Sequence, residues 1–137
     1  MHVVIIEDEE FAARRLERMI YEIDPDIQIV VKLESVTESV KWFKSHETPD
    51  LVFMDNHLED NLSFSIFDQV TISCPMVFTL ATDELLAKIF RLNKLDFLLK
   101  PIIMEELILV IVKYRNLPQS EWVKMESSFF SDVFTKK

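Results

Sequence analysis

The 137-residue chain contains no glycine and one cysteine, and carries a net charge of −9 from 15 basic and 24 acidic side chains. Without glycine there is no GxxxxGK[ST] or GxGxxG phosphate cradle, no GxSxG nucleophile elbow and no glycine-centred calcium loop. The acidity argues against nucleic-acid binding by this chain alone, and the lone Cys74 excludes an internal disulfide and fits a reducing, cytoplasmic setting.

Val3–Ile6 is a β-branched run, as expected of a strand buried on both faces. Residues 9–23 place Ala12, Leu16, Met19, Ile20 and Ile23 on one helical stripe, which Asp24-Pro25-Asp26 ends. A second strand is expected over Ile27–Leu33 and a second helix over Ser35–Glu47, with Val36, Val40 and Phe43 inward. Thr48-Pro49 precedes a third strand, Leu51–Met54, and Asp55–Asn61 is a polar loop. A short third helix is expected over Leu62–Val70, and a fourth strand over Met76–Leu80. The fourth helix spans about Asp83–Leu92, the fifth strand Leu95–Leu99 and the fifth helix about Met104–Arg115. Alternating strands and helices predict an α/β fold: a five-stranded parallel sheet with five helices on both faces, a flavodoxin-like doubly wound sandwich. The longest apolar run, Leu107–Val112, is far short of the ~20 residues that cross a membrane, and the N-terminus does not read as a signal peptide.

Open parallel sheets bind ligands beyond the carboxyl ends of their strands. There the chain places Glu7, Asp8, Glu9 and Glu10 after strand one, Asp55 after strand three, Leu80-Ala81-Thr82 after strand four and Lys100 after strand five. Singly, each has an ordinary explanation. Acids in a first helical turn suit the helix dipole, an Asp after a strand begins a turn, and a Lys before Pro is solvated. Jointly they imply a site: Glu7, Asp8 and Asp55 repel one another unless a cation lies between them, and hard oxygen ligands suit Mg²⁺. Such an ion keeps Asp55 ionised as a nucleophile toward phosphorus, and Lys100 neutralises a phosphoryl group.

The segments VVIIEDEE (3–10), DLVFMD (50–55) and DFLLKP (96–101) resemble the receiver domain of two-component response regulators. EDEEFAARRL, MDNHLEDNLSFSIF and FTLATDELLAKIFRLNKLDFLLKPI resemble the LytTR class, whose members carry a separate DNA-binding domain. The resemblance covers residues 1 to about 117. It implies that Asp55 is the phosphoacceptor, taking its phosphoryl group from a sensor histidine kinase. It implies that Glu7, Asp8, Asp55 and the backbone carbonyl of His57 hold Mg²⁺, that Lys100 pairs with Asp55 and then with the phosphoryl oxygens, and that the Lys100–Pro101 peptide is cis. The chain is then a phosphoacceptor with at most slow self-dephosphorylation.

Two positions depart from that pattern. Receivers carry Thr or Ser before the Ala that ends strand four; here Leu80 stands there, which predicts a weakened or rerouted switch. Thr79, one residue early, faces the other way on a period-2 strand unless the register shifts. Thr82 is a further candidate hydroxyl. The aromatic switch position on strand five is Phe97, where many receivers have Tyr. The His57 imidazole is expected in solvent, since the three histidines share no ligand spacing, and Cys74 reads as a small buried residue.

The fifth helix is apolar on more than one face. The surface of helix four, strand five and helix five is the output and dimer face of receivers, so a homodimer is expected there. Residues 118–137 form an extension, either a linker stub or an extra helix, too short for a DNA-binding domain. No membrane partner is implied. Two other readings stand beside the phosphorylated receiver. One is a pseudo-receiver that docks or dimerises without phosphorylation, on the strength of Leu80. The other is a Mg²⁺-dependent phosphohydrolase, weakened by His57 standing where a second carboxylate is usual. Asn61 and Asn93 occupy positions where such receivers usually place Gly, as the residue best suited to left-handed backbone.

Overall fold

A computed structural model describes residues 1–58, 60, 63–81, 84–92 and 95–122. Asn61, Thr82, Asn93 and the tail from 123 onward, each of which carried an expectation, lie outside the described residues. The elements run β1 (His2–Ile6), α1 (Glu10–Ile23), β2 (Gln28–Leu33), α2 (Val36–Ser45), β3 (Leu51–Asp55), a 3₁₀ turn (Ser63–Asp68), β4 (Met76–Leu80), α3 (Glu84–Leu92), β5 (Phe97–Leu99), α4 (Met104–Arg115) and a second 3₁₀ turn (Gln119–Glu121). All five strands are parallel, in the order β2-β1-β3-β4-β5. That is the flavodoxin-like winding, with its switch point between β1 and β3.

The expected third helix is a correction. Ser63–Asp68 winds as a 3₁₀ turn, leaving four α-helices among the described residues, so the predicted fourth and fifth helices are α3 and α4. Six residues are too few for a self-supporting α-helix, and Phe and Ile are poor helix formers. Ile66 and Phe67 are buried in the core, and Gln69 N and Val70 N both donate to the Ile66 carbonyl. β5 is also shorter than expected, because Leu95 N is tied back to Phe90 O at the end of α3.

Strand alternation divides the core in two. Val4, Ile6, Val52, Met54, Phe78 and Leu80 point to the face covered by α2, the 3₁₀ turn and α3. Val3, Ile5, Leu51, Phe53, Val77 and Leu98 point to the face covered by α1 and α4. The helix ends are fixed without glycine. The Glu9 carboxylate accepts from Phe11 N and Ala12 N at the start of α1, and Asp24 Oδ1 accepts from Asp26 N in the turn after it. Trp122 packs on the α2/α3-side core, so the chain beyond α4 returns to the opposite face of the sheet.

Candidate functional site

Every strand that meets the site does so at its carboxyl end. β1 runs out into Glu7, β3 ends on Asp55, β4 on Thr79 and Leu80, and β5 leads into Lys100 before the cis Lys100–Pro101 peptide. Glu7 and Asp55 are buried and Lys100 is half-buried. The Lys100 ammonium donates to Glu7 Oε1 at 2.6 Å and to Asp55 Oδ2 at 3.2 Å. Sequence reasoning expected the pair with Asp55; the shorter contact with Glu7 was not anticipated. The other oxygens are partnered by backbone: Glu9 N donates to Glu7 Oε2 (3.2 Å) and His57 N to Asp55 Oδ1 (3.3 Å).

The electrostatics follow from this crowding. Burial is the main cause that pushes the Glu7 carboxyl from its ordinary 4.5 up to about 7, and the Asp55 charge adds to it against the pull of Lys100. Burial opposes the charge on Lys100, but its bond to Glu7 and the two carboxylates outweigh that and raise its pKa. Glu7, Asp8 and Asp55 each present an oxygen within 4.8 Å of the others, a spacing that a shared metal ion would require. The donor set fits a hard divalent cation: oxygen only, carboxylate-rich, and with one acid disfavoured as an anion unless a positive charge joins it.

Beside the pair lies a cavity of about 550 Å³ between α1 and the β5–α4 connection, walled by Leu16, Phe53, Thr79, Lys100 and Ile102. Arg15 closes that connection onto α1, donating from Nη2 to Ile102 O at 3.0 Å. Thr79 and Leu80 face opposite ways. Leu80 is fully buried in the α2/α3-side core, and Thr79 is buried on the side that carries Lys100. Phe97 is half-buried, edge-on to Phe90, with the Arg91 guanidinium 5.4 Å above its ring. His57 is exposed on the loop after Asp55, and Thr82 lies outside the described residues.

Asp60 was missed from the sequence. Its carboxylate accepts from Val36 N (2.9 Å) and from Thr37 N and Oγ1 (3.2 and 3.1 Å), clamping the loop after Asp55 onto the first turn of α2. Those bonds hold its pKa below the ordinary value. Spacing gave no signal, because Ser35 and Glu38 already make a local cap, Ser35 Oγ accepting from Glu38 N. Cys74 is fully buried and burial pushes its thiol up to about 12, so it is no nucleophile.

No protein-family model matches the chain. It is 34% identical over 116 residues to the sensory transduction protein LytT of Enterococcus faecalis, covering 82% of this chain and 47% of that protein. LytT of Bacillus anthracis is 26% identical over 121 residues, 86% of this chain and 49% of that one. Among solved structures, the response regulatory domain of protein mrkE from Klebsiella pneumoniae is similar at TM-score 0.68 and 25% identity, covering 84% of this chain and 95% of that one. A response regulator receiver domain from Clostridium thermocellum gives TM-score 0.67 at 16% identity, over 84% and 94%. The chain is a response regulator receiver domain. It spans about half the length of the curated relatives it matches, and those relatives fit the LytTR class. No helix of this receiver, among the described residues, is long and apolar enough to cross a membrane.

Proposed function

We propose that the receiver accepts a phosphoryl group on Asp55 from the phosphohistidine of a sensor kinase. In that step the phosphorus–nitrogen bond breaks, a phosphorus–oxygen bond forms to an Asp55 oxygen, and the departing imidazole keeps the electron pair and takes up a proton. The observation that carries this reading is the Lys100 ammonium held between Glu7 and Asp55. A fixed positive charge at the acceptor oxygen stabilises charge on the transferring group. Glu7, Asp8, Asp55 and the His57 carbonyl would hold Mg²⁺, which supplies charge neutralisation for the incoming phosphoryl oxygens. Lys100 then orients the acceptor, and the Glu9 and His57 amides fix the two carboxylates.

The partner face is the surface of α3, β5 and α4. Leu109 is 71% exposed on α4, with Ile108 and Val112 also exposed beside it. We assign it to a homodimer. Nucleic acid is not bound by this chain alone, in keeping with its charge of −9.

One observation favours a second reading. Leu80 is fully buried and offers no hydroxyl, which suits a pseudo-receiver that dimerises without phosphorylation. Incubation with Mg²⁺ and acetyl phosphate, followed by intact mass, separates the two. An adduct of one phosphoryl group, absent from Asp55→Asn, supports the acceptor; no adduct with a dimer present supports the pseudo-receiver. Multiple turnover on phosphate esters would mark a phosphohydrolase.

A further inference from the structure

We infer that residues 116–122 form a latch: Trp122 seats on the α2/α3-side core at the amino edge of the sheet, fixes the direction in which the chain leaves α4, and lets go without unfolding the receiver. The inference is independent of the acceptor reading of Asp55, since it concerns the opposite edge of the sheet. Two ion pairs show where α4 ends. Arg115 Nη2 meets Asp24 Oδ2 at 2.7 Å, between α1 and β2, and Lys113 Nζ meets Asp96 Oδ2 at 2.7 Å, just ahead of β5. Both acids precede strands, so the end of α4 lies at the amino edge, whereas Asp55 ends a strand at the carboxyl edge. Asn116 closes the helix, its amide and its side-chain nitrogen both donating to Val112 O. Pro118, with no amide hydrogen to continue the ladder, turns the chain away.

Up to that point the chain packs on one face: Leu107, Ile111 and Tyr114 belong to the α1/α4-side core. Trp122 belongs to the other core, on the α2/α3 side. Between them is one short turn, Gln119–Glu121, held by Glu121 N on Pro118 O (2.9 Å) and Trp122 N on Gln119 O (3.1 Å). Gln119, Ser120 and Glu121 are exposed, so the turn has no apolar anchor of its own and Trp122 holds it in place. The seat is not a permanent one. The Trp122 side chain is only half-buried, and its indole N–H is shut off from solvent with no acceptor among the described residues. A buried tryptophan ordinarily finds a partner for that donor, and one that does not has given up a hydrogen bond to water. Apolar contact closes the seat and the orphaned donor opposes it. A contact so balanced opens locally, ahead of the strands and helices around it. Seated, Trp122 takes the chain to the α2/α3 side; released, it lets the chain depart from the end of α4 on the other.

The chain has two tryptophans, so Trp42→Phe leaves Trp122 as the sole indole reporter. Its emission and acrylamide quenching are followed through a urea titration beside far-ultraviolet circular dichroism, which reports the helices and the sheet. Trp122→Ala and Trp122→Phe are compared with wild type by thermal melting and by amide hydrogen exchange over residues 104–122. The expected result is a shielded, blue-shifted Trp122 in buffer that shifts red at lower urea than the loss of secondary structure. Trp122→Ala should fold and should exchange about tenfold faster over residues 119–122, with residues 104–112 unchanged. Trp122→Phe keeps an apolar ring and has no donor to orphan, so it should retain most of the protection. An emission already red and freely quenched in buffer overturns the seat, as does Trp122→Phe exchanging as fast as Trp122→Ala. Coincident emission and circular dichroism transitions, or a Trp122→Ala chain that does not fold, make Trp122 a fixed part of the core and overturn the latch. If Trp42→Phe does not fold, the wild-type spectrum less that of Trp122→Phe supplies the Trp122 signal and the same outcomes decide.

Discussion

Lys100 donates to Glu7 at 2.6 Å across 93 residues of chain, and this bond joins the first strand of the sheet to the connection after the last. It holds an ammonium against an acid that burial already disfavours as an anion. A cation bound among Glu7, Asp8 and Asp55 would supply positive charge to Glu7, where Lys100 alone now supplies it.

This pairing has a pH signature in the metal-free protein. The Glu7 carboxyl sits at about 7 in the fold against an ordinary 4.5. Between those values the folded state holds the proton that the unfolded chain has lost, so this contribution is complete below 4.5 and is lost as pH rises through about 7. Denaturant midpoints should fall over that window in wild type and stay flatter in Glu7→Gln. Stabilisation by Mg²⁺ should grow with pH over the same range. Matching slopes for the two proteins would show that Glu7 titrates as an ordinary surface acid.

Asp60 makes the second prediction. Its carboxylate satisfies two amides and one hydroxyl in the first turn of α2. Removing a helix-start acceptor of this kind costs about 1 kcal/mol. Asp60→Ala should lower the melting temperature accordingly and speed hydrogen exchange at Val36 and Thr37, with the acceptor chemistry of Asp55 intact. The acid limb has the same origin: the lowered pKa gives stability that is present above the ordinary 3.8 and lost as pH falls below it.

How much of this was legible in the sequence depended on whether a residue's environment is local. Val3–Ile6 and Glu10–Ile23 were readable because a β-branched run and a helical stripe are local patterns that burial on a sheet then rewards. Ser63–Asp68 was misjudged because its apolar spacing fits a helix, while its length cannot sustain one. Glu7, Asp8, Asp55 and Lys100 were legible as a group, since each follows a strand of one parallel sheet. The preference of Lys100 for Glu7 was not, because it depends on which oxygen lies nearer after packing. The face of Thr79 was half legible: period two placed it opposite Leu80, but only the register with Asp55 places it on the side of Lys100.

The exposed face of α4 gives a further prediction. Leu109 is bare on the surface assigned to the homodimer. Leu109→Glu puts a carboxylate into an apolar contact and buries it there unpaired, a cost that a small interface does not tolerate. Light scattering should report a dimer for wild type and a monomer for Leu109→Glu at equal concentration, with unchanged melting. A wild type that is monomeric at every concentration, with and without acetyl phosphate, removes the dimer from the proposal.

Leu80 provides the final prediction. It is fully buried with Met54, Phe78 and Phe90, and its carbonyl accepts from Lys100 N at 2.8 Å. Leu80→Thr swaps an isobutyl group for a smaller side chain with a hydroxyl, leaving a void and a polar atom in apolar packing. Such a change costs roughly 2–4 kcal/mol. The variant should therefore melt well below wild type, because the α2/α3-side core is built around leucine at this position. Its phosphorylated form, made with Mg²⁺ and acetyl phosphate, should show amide shifts on α3 that wild type lacks, as a hydroxyl at the end of β4 offers the phosphoryl group a donor that leucine does not. The clamp of Arg91 over Phe97 lies on the same side, so the shifts should include both residues. Wild type already moving α3 as far as the variant would mean that Leu80 does not limit that response.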